Sequence, residues 1–230
     1  MSTIKVILGD CMDVMGQYPE KYFDLAVVDP PYGLNNRIAT CNLPSSLKKH
    51  SLSKFRDKIL NSGWDNYKPS NEYYKILNNK TKNQIIWGGN YFTNNLPESR
   101  CWICWHKEVP IQTMSTIELA WTSFDKPCTF YKYRSRNKDR IHPTEKPIKL
   151  YDWIYAKYLP NGGKVLDTHG GSMSNVISWI KAGNIDGVCT EIDPDYFHDA
   201  KKRIQNFLAQ QDMFRNPVTV EFIENKMSMK

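Results

Sequence analysis

Short apolar runs rich in β-branched and aromatic residues recur at 4–8, 25–28, 85–87, 102–105, 117–121, 164–166 and 187–190. They are continuous rather than strictly alternating, which predicts strands buried on both faces. Helical spacing lies between several of them. Residues 70–79 follow Pro69 and carry Tyr73, Tyr74 and Leu77, while residues 147–159 open on Pro147 and set Tyr151, Ile154, Tyr155 and Tyr158 on one face. Asp193 is placed to cap a helix starting at Pro194, whose apolar face is Phe197, Ala200, Ile204 and Phe207. Short buried strands alternating with amphipathic helices predict an α/β fold around a mostly parallel sheet. The stretch 117–131, broken by Asp125 and Lys126, reads instead as an antiparallel hairpin near one edge. No internal repeat or linker appears, so 1–210 reads as one domain and 211–230 as a C-terminal tail too mixed to assign.

Composition narrows the class. Of 230 residues, 40% are hydrophobic and 24% charged, an ordinary globular balance. No apolar run approaches the roughly 18 residues of a membrane span, and residues 1–10 lack a signal-peptide pattern, so a soluble cytoplasmic protein with no membrane partner is expected. The net charge is +7. Its distribution says more than its size: residues 33–68 carry +5, residues 122–150 carry another +5, and the remainder is mildly acidic at −3. Two basic segments on a near-neutral body fit either solvated lysine-rich loops or a polyanionic partner. The segment 33–68 is also long, polar and weakly periodic, which is uncommon in a compact domain unless the loop is functional or disordered.

Six cysteines are present, and only Cys101 and Cys104 form a C-x-x-C. No second Cys/His pair of suitable spacing completes a zinc site, so no metal is expected. In an apolar strand that i, i+3 spacing sends the two thiols to opposite faces, which fits free cysteines.

Three islands carry candidate chemistry. Asp29-Pro30-Pro31-Tyr32 follows the buried run 25–28. It puts a carboxylate, a carbonyl and an aromatic ring at the carboxyl end of a parallel strand, where α/β sheets bind ligands. The prolines stiffen the backbone. Rigid acceptors beside a stacking ring suit an exocyclic amine on a flat heterocycle, although a strand-ending turn would read the same. The second island, Asp167-Thr168-His169-Gly170-Gly171-Ser172, is a strand end and Gly/Ser turn of the kind that cradles a cofactor with backbone amides. It has neither the G-x-G-x-x-G pattern nor a P-loop lysine. The third ends the next strand at Glu191, placed to hold ribose hydroxyls, with Ile192 and the cap Asp193 beyond it.

Together these islands resemble the β class of S-adenosylmethionine-dependent DNA amino-methyltransferases, in which the catalytic half precedes the cofactor half. Asp29 to Tyr32 matches the catalytic motif; Gly9-Asp10 matches the opening "GD"; His142-Pro143-Thr144-Glu145-Lys146-Pro147 matches the "HPTxKP" signature; Glu191 to Tyr196 matches the ribose-binding stretch. Thr168, His169 and Met173 stand where the family has Pro, Phe and the last Gly of its cofactor turn. The resemblance covers nearly the whole chain apart from 33–68 and the tail. It implies a Rossmann-like methyltransferase fold, S-adenosyl-L-methionine as cofactor, double-stranded DNA as partner, and a prokaryotic or phage-encoded source. It also implies a cofactor site built from Asp10, Cys11, Asp29, His142, Thr144, Lys146, Asp167, Thr168, His169, Gly171, Ser172, Glu191 and Ile192.

The implied reaction is methyl transfer to the N6 amino group of a flipped-out adenine. Asp29 and the Pro30 carbonyl would accept from the amine, with Pro31 rigidifying the turn and Tyr32 stacking on the base. Cytosine-N4 transfer is the alternative, since those enzymes more often carry Ser at the Asp29 position; a non-catalytic DNA-recognition subunit is another. DNA contacts are expected from Lys48, Lys49, Lys54, Arg56 and Lys58 in the long loop. The small recognition segment 122–141 would add Lys132, Arg134, Arg136, Lys138 and Arg140. So small a reading surface points to a short target, a homodimer, or a separate recognition or restriction partner.

Overall fold

The computed structural model describes residues 1–34, 65–108, 115–134, 141–142, 144–210 and 218–224. Among the described residues nine strands form one sheet: β1 (Ser2–Leu8), β2 (Phe23–Val28), β3 (Thr81–Trp87), β4 (Trp102–His106), β5 (Ile117–Thr122), β6 (Thr129–Lys132), β7 (Gly163–Asp167), β8 (Ile185–Glu191) and β9 (Val218–Glu224). Among the described residues five α-helices cover it: α1 (Cys11–Gly16), α2 (Asn71–Lys80), α3 (Ile148–Tyr158), α4 (Ser174–Ala182) and α5 (Pro194–Ala209). The strand order is β6-β4-β5-β3-β2-β7-β8-β1-β9, and only β5 runs antiparallel to its neighbours, β3 and β4.

Period-two alternation sorts the apolar residues into two cores. Leu25 and Val27 of β2, Ile85 and Trp87 of β3, and Val165 of β7 face α3, α4 and α5. Their alternates Ala26, Val28, Ile86 and Leu166 face α1 and α2. Both faces of the sheet are therefore covered, which is why these strands read as continuous apolar runs. The helices begin where the caps direct. Ser70 accepts from the Tyr73 amide at the start of α2, and Asp193 accepts from the Asp195 and Tyr196 amides at the start of α5. Among the described residues no helix is long and apolar enough to cross a membrane.

Two features differ from the sequence pattern. The antiparallel hairpin is formed by β4 and β5, not by the two halves of 117–131. Ser99 Oγ donates to the Thr122 carbonyl at 2.6 Å and Arg100 pairs with Asp125 at 2.5 Å. These ties hold the end of β5 at the entrance to β4, and the chain then crosses to the far edge of β4, where β6 pairs in parallel. The stretch after Gln210 also contributes to the sheet. β9 pairs with β1 over its whole length, from Ser2↔Val218 to Leu8↔Glu224. Its mixed pattern is that of an edge strand, half-buried at most positions.

The topology fixes where a ligand can bind. From β2 the chain passes through α2 to β3 on one side; from β7 it passes through α4 to β8 on the other. β2 and β7 are thus adjacent strands with diverging connections, and the crevice at their carboxyl ends is the switch point of the sheet. Gly187, in the middle of β8, is needed for the helix layer to close: a Cβ there would lie 2.2 Å from Cε3 of the fully buried Trp179. Gly187→Ala is expected to cost about 1–3 kcal/mol. Urea denaturation measures this, and an unchanged midpoint would contradict the close packing.

Candidate functional site

Asp29 follows β2 and Asp167 ends β7, so the first two islands meet at the switch point. The Asp29 carboxylate is held on both oxygens. Oδ1 accepts from the Tyr32 hydroxyl at 2.7 Å, and Oδ2 forms an ion pair with Lys146. Tyr32 has two supports. Its ring stacks on Tyr91 at 5.0 Å and 18°, and it packs against Gly88, where a Cβ would come within 2.2 Å of the ring. Gly88 has φ +69°, so glycine serves there for both space and backbone. The Tyr32 and Gly33 amides donate to Asp65 Oδ1 at 2.9 and 3.1 Å. A buried side chain near the end of the long basic segment thus pins the backbone at the end of the Asp29–Tyr32 motif.

Lys146 is buried, and its ammonium is shared between two carboxylates and a ring. Besides Asp29 it lies 3.4 Å from Glu118 Oε2 and 5.2 Å from the centre of the Trp87 ring, while Lys107 holds Glu118 Oε1 at 2.8 Å. Burial pushes Glu118 up, but Lys146 and Lys107 outweigh it and hold the carboxyl below its usual value. Burial likewise pushes Lys146 down, and Asp29 and Glu118 more than reverse this.

Beside this cluster lies a cleft of about 440 Å³. It is lined by Asp10, Cys11, Thr168, His169, Glu191 and Ile192 of the expected set, together with Pro31, Lys68 and Tyr73. Asp10 caps α1 by accepting from the Met12 amide at 2.7 Å. Glu191 accepts from the Gly171 and Asp193 amides at 2.7 and 2.8 Å. Each carboxylate oxygen keeps a lone pair for a ligand, and burial raises the Glu191 pKa. A larger open groove of about 700 Å³ by Pro97, Trp102 and Trp121 holds none of the expected residues.

Other expected cofactor residues stand outside that lining. His142, Thr144, Lys146, Asp167, Gly171, Ser172 and Asp29 do not line the cleft. His142 packs edge-on against Tyr196 at 4.4 Å, its Nδ1 lies 3.1 Å from the Thr144 hydroxyl, and its ring faces Gly171. It braces the glycine turn from behind. Arg203 does the same, donating to the Ser172 carbonyl at 2.7 Å and reaching Glu145 at 3.4 Å. Lys146 turns the other way, to Asp29.

The unusual turn residues also have partners. Thr168 Oγ1 lies 2.7 Å from the Tyr73 hydroxyl and 2.9 Å from His169 Nδ1, and burial lowers the His169 pKa to about 4. Met173 adopts φ +53° and stands at the N-cap of α4 with its side chain fully buried. The left-handed backbone costs a non-glycine residue about 1–2 kcal/mol, which burial of the thioether side chain offsets.

The basic recognition segment is placed only in part, because Arg136, Lys138 and Arg140, like Lys48, Lys49, Lys54, Arg56 and Lys58, lie outside the described residues. Lys132 and Arg134 are exposed at the β6 edge, and Lys132 pairs with Glu108 at 3.0 Å. The intervening aromatics point inward: Tyr131 stacks on Trp153 at 4.8 Å, and Lys149 lies 5.7 Å from the Tyr133 ring centre.

With the geometry in place, comparison with solved structures is informative. Neither a protein-family profile nor a curated protein sequence matches the chain. A candidate DNA modification methylase from Thermus thermophilus superposes with a TM-score of 0.58 over 96% of this chain and 99% of its own, at 14% identity. It has also been solved with S-adenosyl-L-methionine. The cytosine-N4-specific PvuII DNA methyltransferase gives 0.60 over 94% and 89%, at 14% identity. The chain has the fold of the DNA methyltransferases. The M1.HpyAVI–S-adenosylmethionine complex gives 0.55 over 87% of this chain and 98% of its own, at 16% identity. Sequence reasoning did not find Asp65, Tyr73, Lys107, Glu118 or Asn175. Their signal is spatial only, since each reaches the site from a different element.

Asp167 generates a pH prediction. Burial raises its carboxyl to about 7 despite hydrogen bonds from Asn175 Nδ2 and the His169 amide, with Asp29 and Glu191 adding to the rise. A carboxyl raised in the folded state adds stability below its unfolded value of about 3.9, and that stability is lost as pH climbs through about 7. The wild type should therefore lose stability relative to Asp167→Asn between about pH 4 and about pH 8, by about 4 kcal/mol at most. Urea midpoints of both proteins across that range check this; a constant gap would contradict it.

Proposed function

We propose that this protein is an S-adenosylmethionine-dependent DNA methyltransferase acting on the N6 amino group of a flipped-out adenine. The observation that carries the reading is the placement of Asp29-Pro30-Pro31-Tyr32 at the switch point, directly beside the cleft that ends at Glu191. The cleft suits the cofactor. Its volume is that of a small-molecule site, and it offers the Asp10 and Glu191 carboxylates to a cationic ligand with hydroxyls. Asp10, Thr168, His169, Glu191 and Ile192 would hold the cofactor, which when bound supplies a methyl group on a sulfonium.

An aromatic amine is a poor nucleophile because its lone pair is delocalised into the ring. Asp29 and the Pro30 carbonyl accept from the amino group and favour its pyramidal form. Acceptors already fixed where positive charge develops need no reorganisation during the reaction. Tyr32, held by Tyr91 and Gly88, offers its ring to the base, which must leave the duplex to reach it. Positioning supplies much of the remaining rate.

Cytosine-N4 transfer is the second reading, favoured by the likeness to the cytosine-N4-specific PvuII enzyme; Asp29, where such enzymes more often carry Ser, favours adenine. A non-catalytic recognition subunit would have no need of the complete Asp29 to Tyr32 cluster. Asp29→Ala is expected to lower methyl incorporation into duplex DNA by on the order of 100-fold or more, with calorimetric cofactor affinity retained. Near-normal incorporation would overturn the role of Asp29. Neutralising Lys48, Lys49, Lys54 and Lys58 together is expected to weaken DNA binding and flatten its salt dependence. The log–log slope should fall by up to about 0.9 for each phosphate the variant no longer neutralises. An unchanged slope would move the DNA surface elsewhere.

A further inference from the structure

Four side chains of alternating charge run outward from the catalytic carboxylate: Asp29 after β2, Lys146 before α3, Glu118 on β5 and Lys107 after β4. The adjacent pairs are Asp29–Lys146, Lys146–Glu118 at 3.4 Å and Glu118–Lys107 at 2.8 Å. Lys146 is 3% exposed at its side chain and lies over Trp87, which is itself fully buried. Glu118 Oε2 is buried and, among the described residues, receives no hydrogen bond of good geometry, only the ion pair with Lys146. The resemblance to the methyltransferase family assigns Lys146 to the cofactor. Its side chain lies outside the cleft and pairs with the catalytic carboxylate instead.

Resting on the functional reading above, we propose that Lys146 and Glu118 are positioning residues for methyl transfer: Glu118 anchors the Lys146 ammonium, and Lys146 fixes the Asp29 carboxylate facing the substrate amine. The surroundings of Asp29 require such a counter-ion. Asp65, Asp167 and Glu118 are anionic when ionised, and Tyr32 and Tyr151 add hydroxyls in the same field. Burial raises the carboxyls of Asp65 and Asp167, and the charge of Asp29 adds to both. A single ammonium bonded to Oδ2 leaves Oδ1 to the Tyr32 hydroxyl and the incoming amine. Glu118 prevents that ammonium from following the carboxylate, and Lys107 neutralises Glu118 from the solvent side. A buried charge pair with further hydrogen bonds defines geometry more than it adds stability.

The test separates catalysis from cofactor binding. Lys146→Met is expected to lower single-turnover methyl transfer at saturating cofactor by about 100-fold, with the cofactor Kd within about threefold of wild type. Lys146→Arg should recover most of that loss, and Glu118→Gln should lose about tenfold in rate with the same Kd. Because Lys146→Met leaves buried carboxylates unpaired and can unfold, Glu118→Gln is the deciding variant; its folding is checked by urea denaturation. A Kd raised in proportion to the loss, with rate restored at saturation, overturns the inference and returns Lys146 to the cofactor. An unchanged rate in Glu118→Gln overturns it as well. If the wild type itself transfers no methyl group, the functional reading fails separately. The ion-pair chain is then read from the Lys146 ammonium signal in 15N-lysine NMR. A signal protected from solvent exchange in wild type and shifted by Asp29→Asn and Glu118→Gln supports the anchoring; one unmoved by both refutes it.

Discussion

The contact between Asp29 and Lys146 ties the halves of this protein together. Asp29 belongs to the first half of the chain, at the end of β2, and Lys146 to the second, just before α3. Lys146 is 3% exposed and could not hold its charge there unpaired; Asp29, together with Glu118, supplies the pairing. The pair therefore fixes how the segment before α3 meets the switch point. That segment in turn braces the glycine turn through His142 and positions Glu145 against Arg203 of α5. The Asp29–Tyr32 motif and the Asp167–Ser172 turn, far apart in sequence, are held in register by one short polar strap.

The same constraint explains the division of labour around the site. The sheet supplies rigid positions: Asp29 and Asp167 at neighbouring strand ends, Glu191 at the next. Helices and loops supply the lining, with Tyr73 from α2 meeting Thr168 and Asp10 opening α1. The unusual turn fits this plan. Thr168 and His169 are tied to each other at 2.9 Å, and Tyr73 lies 2.7 Å from the Thr168 hydroxyl. These contacts hold the turn.

Much of this was legible in the sequence, for physical reasons that particular residues make plain. Continuous apolar runs mark strands covered on both faces, so the parallel core, its helices and the strand-end acids at Asp29, Asp167 and Glu191 could be placed from pattern alone. β9 could not, because an edge strand buries one face only and its alternation is short. The hairpin was shifted by one strand because the ties of Ser99 and Arg100 to the end of β5 are tertiary contacts without a local signature. Lys146 was assigned with its neighbours in the motif, yet residues close together in an extended segment can point to opposite sides. His142 faces the turn and Lys146 faces Asp29. Glu118 sits in an otherwise ordinary strand, and only its partners mark it.

The most direct test of the central claim is the chemical identity of the product. The wild-type protein would be incubated with methyl-labelled S-adenosylmethionine and duplex DNA of mixed sequence, and the digested nucleosides separated. Label recovered in N6-methyladenine is the expected result. Label in 4-methylcytosine would contradict the adenine assignment while keeping the amino-methyl chemistry. DNA left unlabelled by a protein that binds the cofactor would contradict methyl transfer to DNA itself.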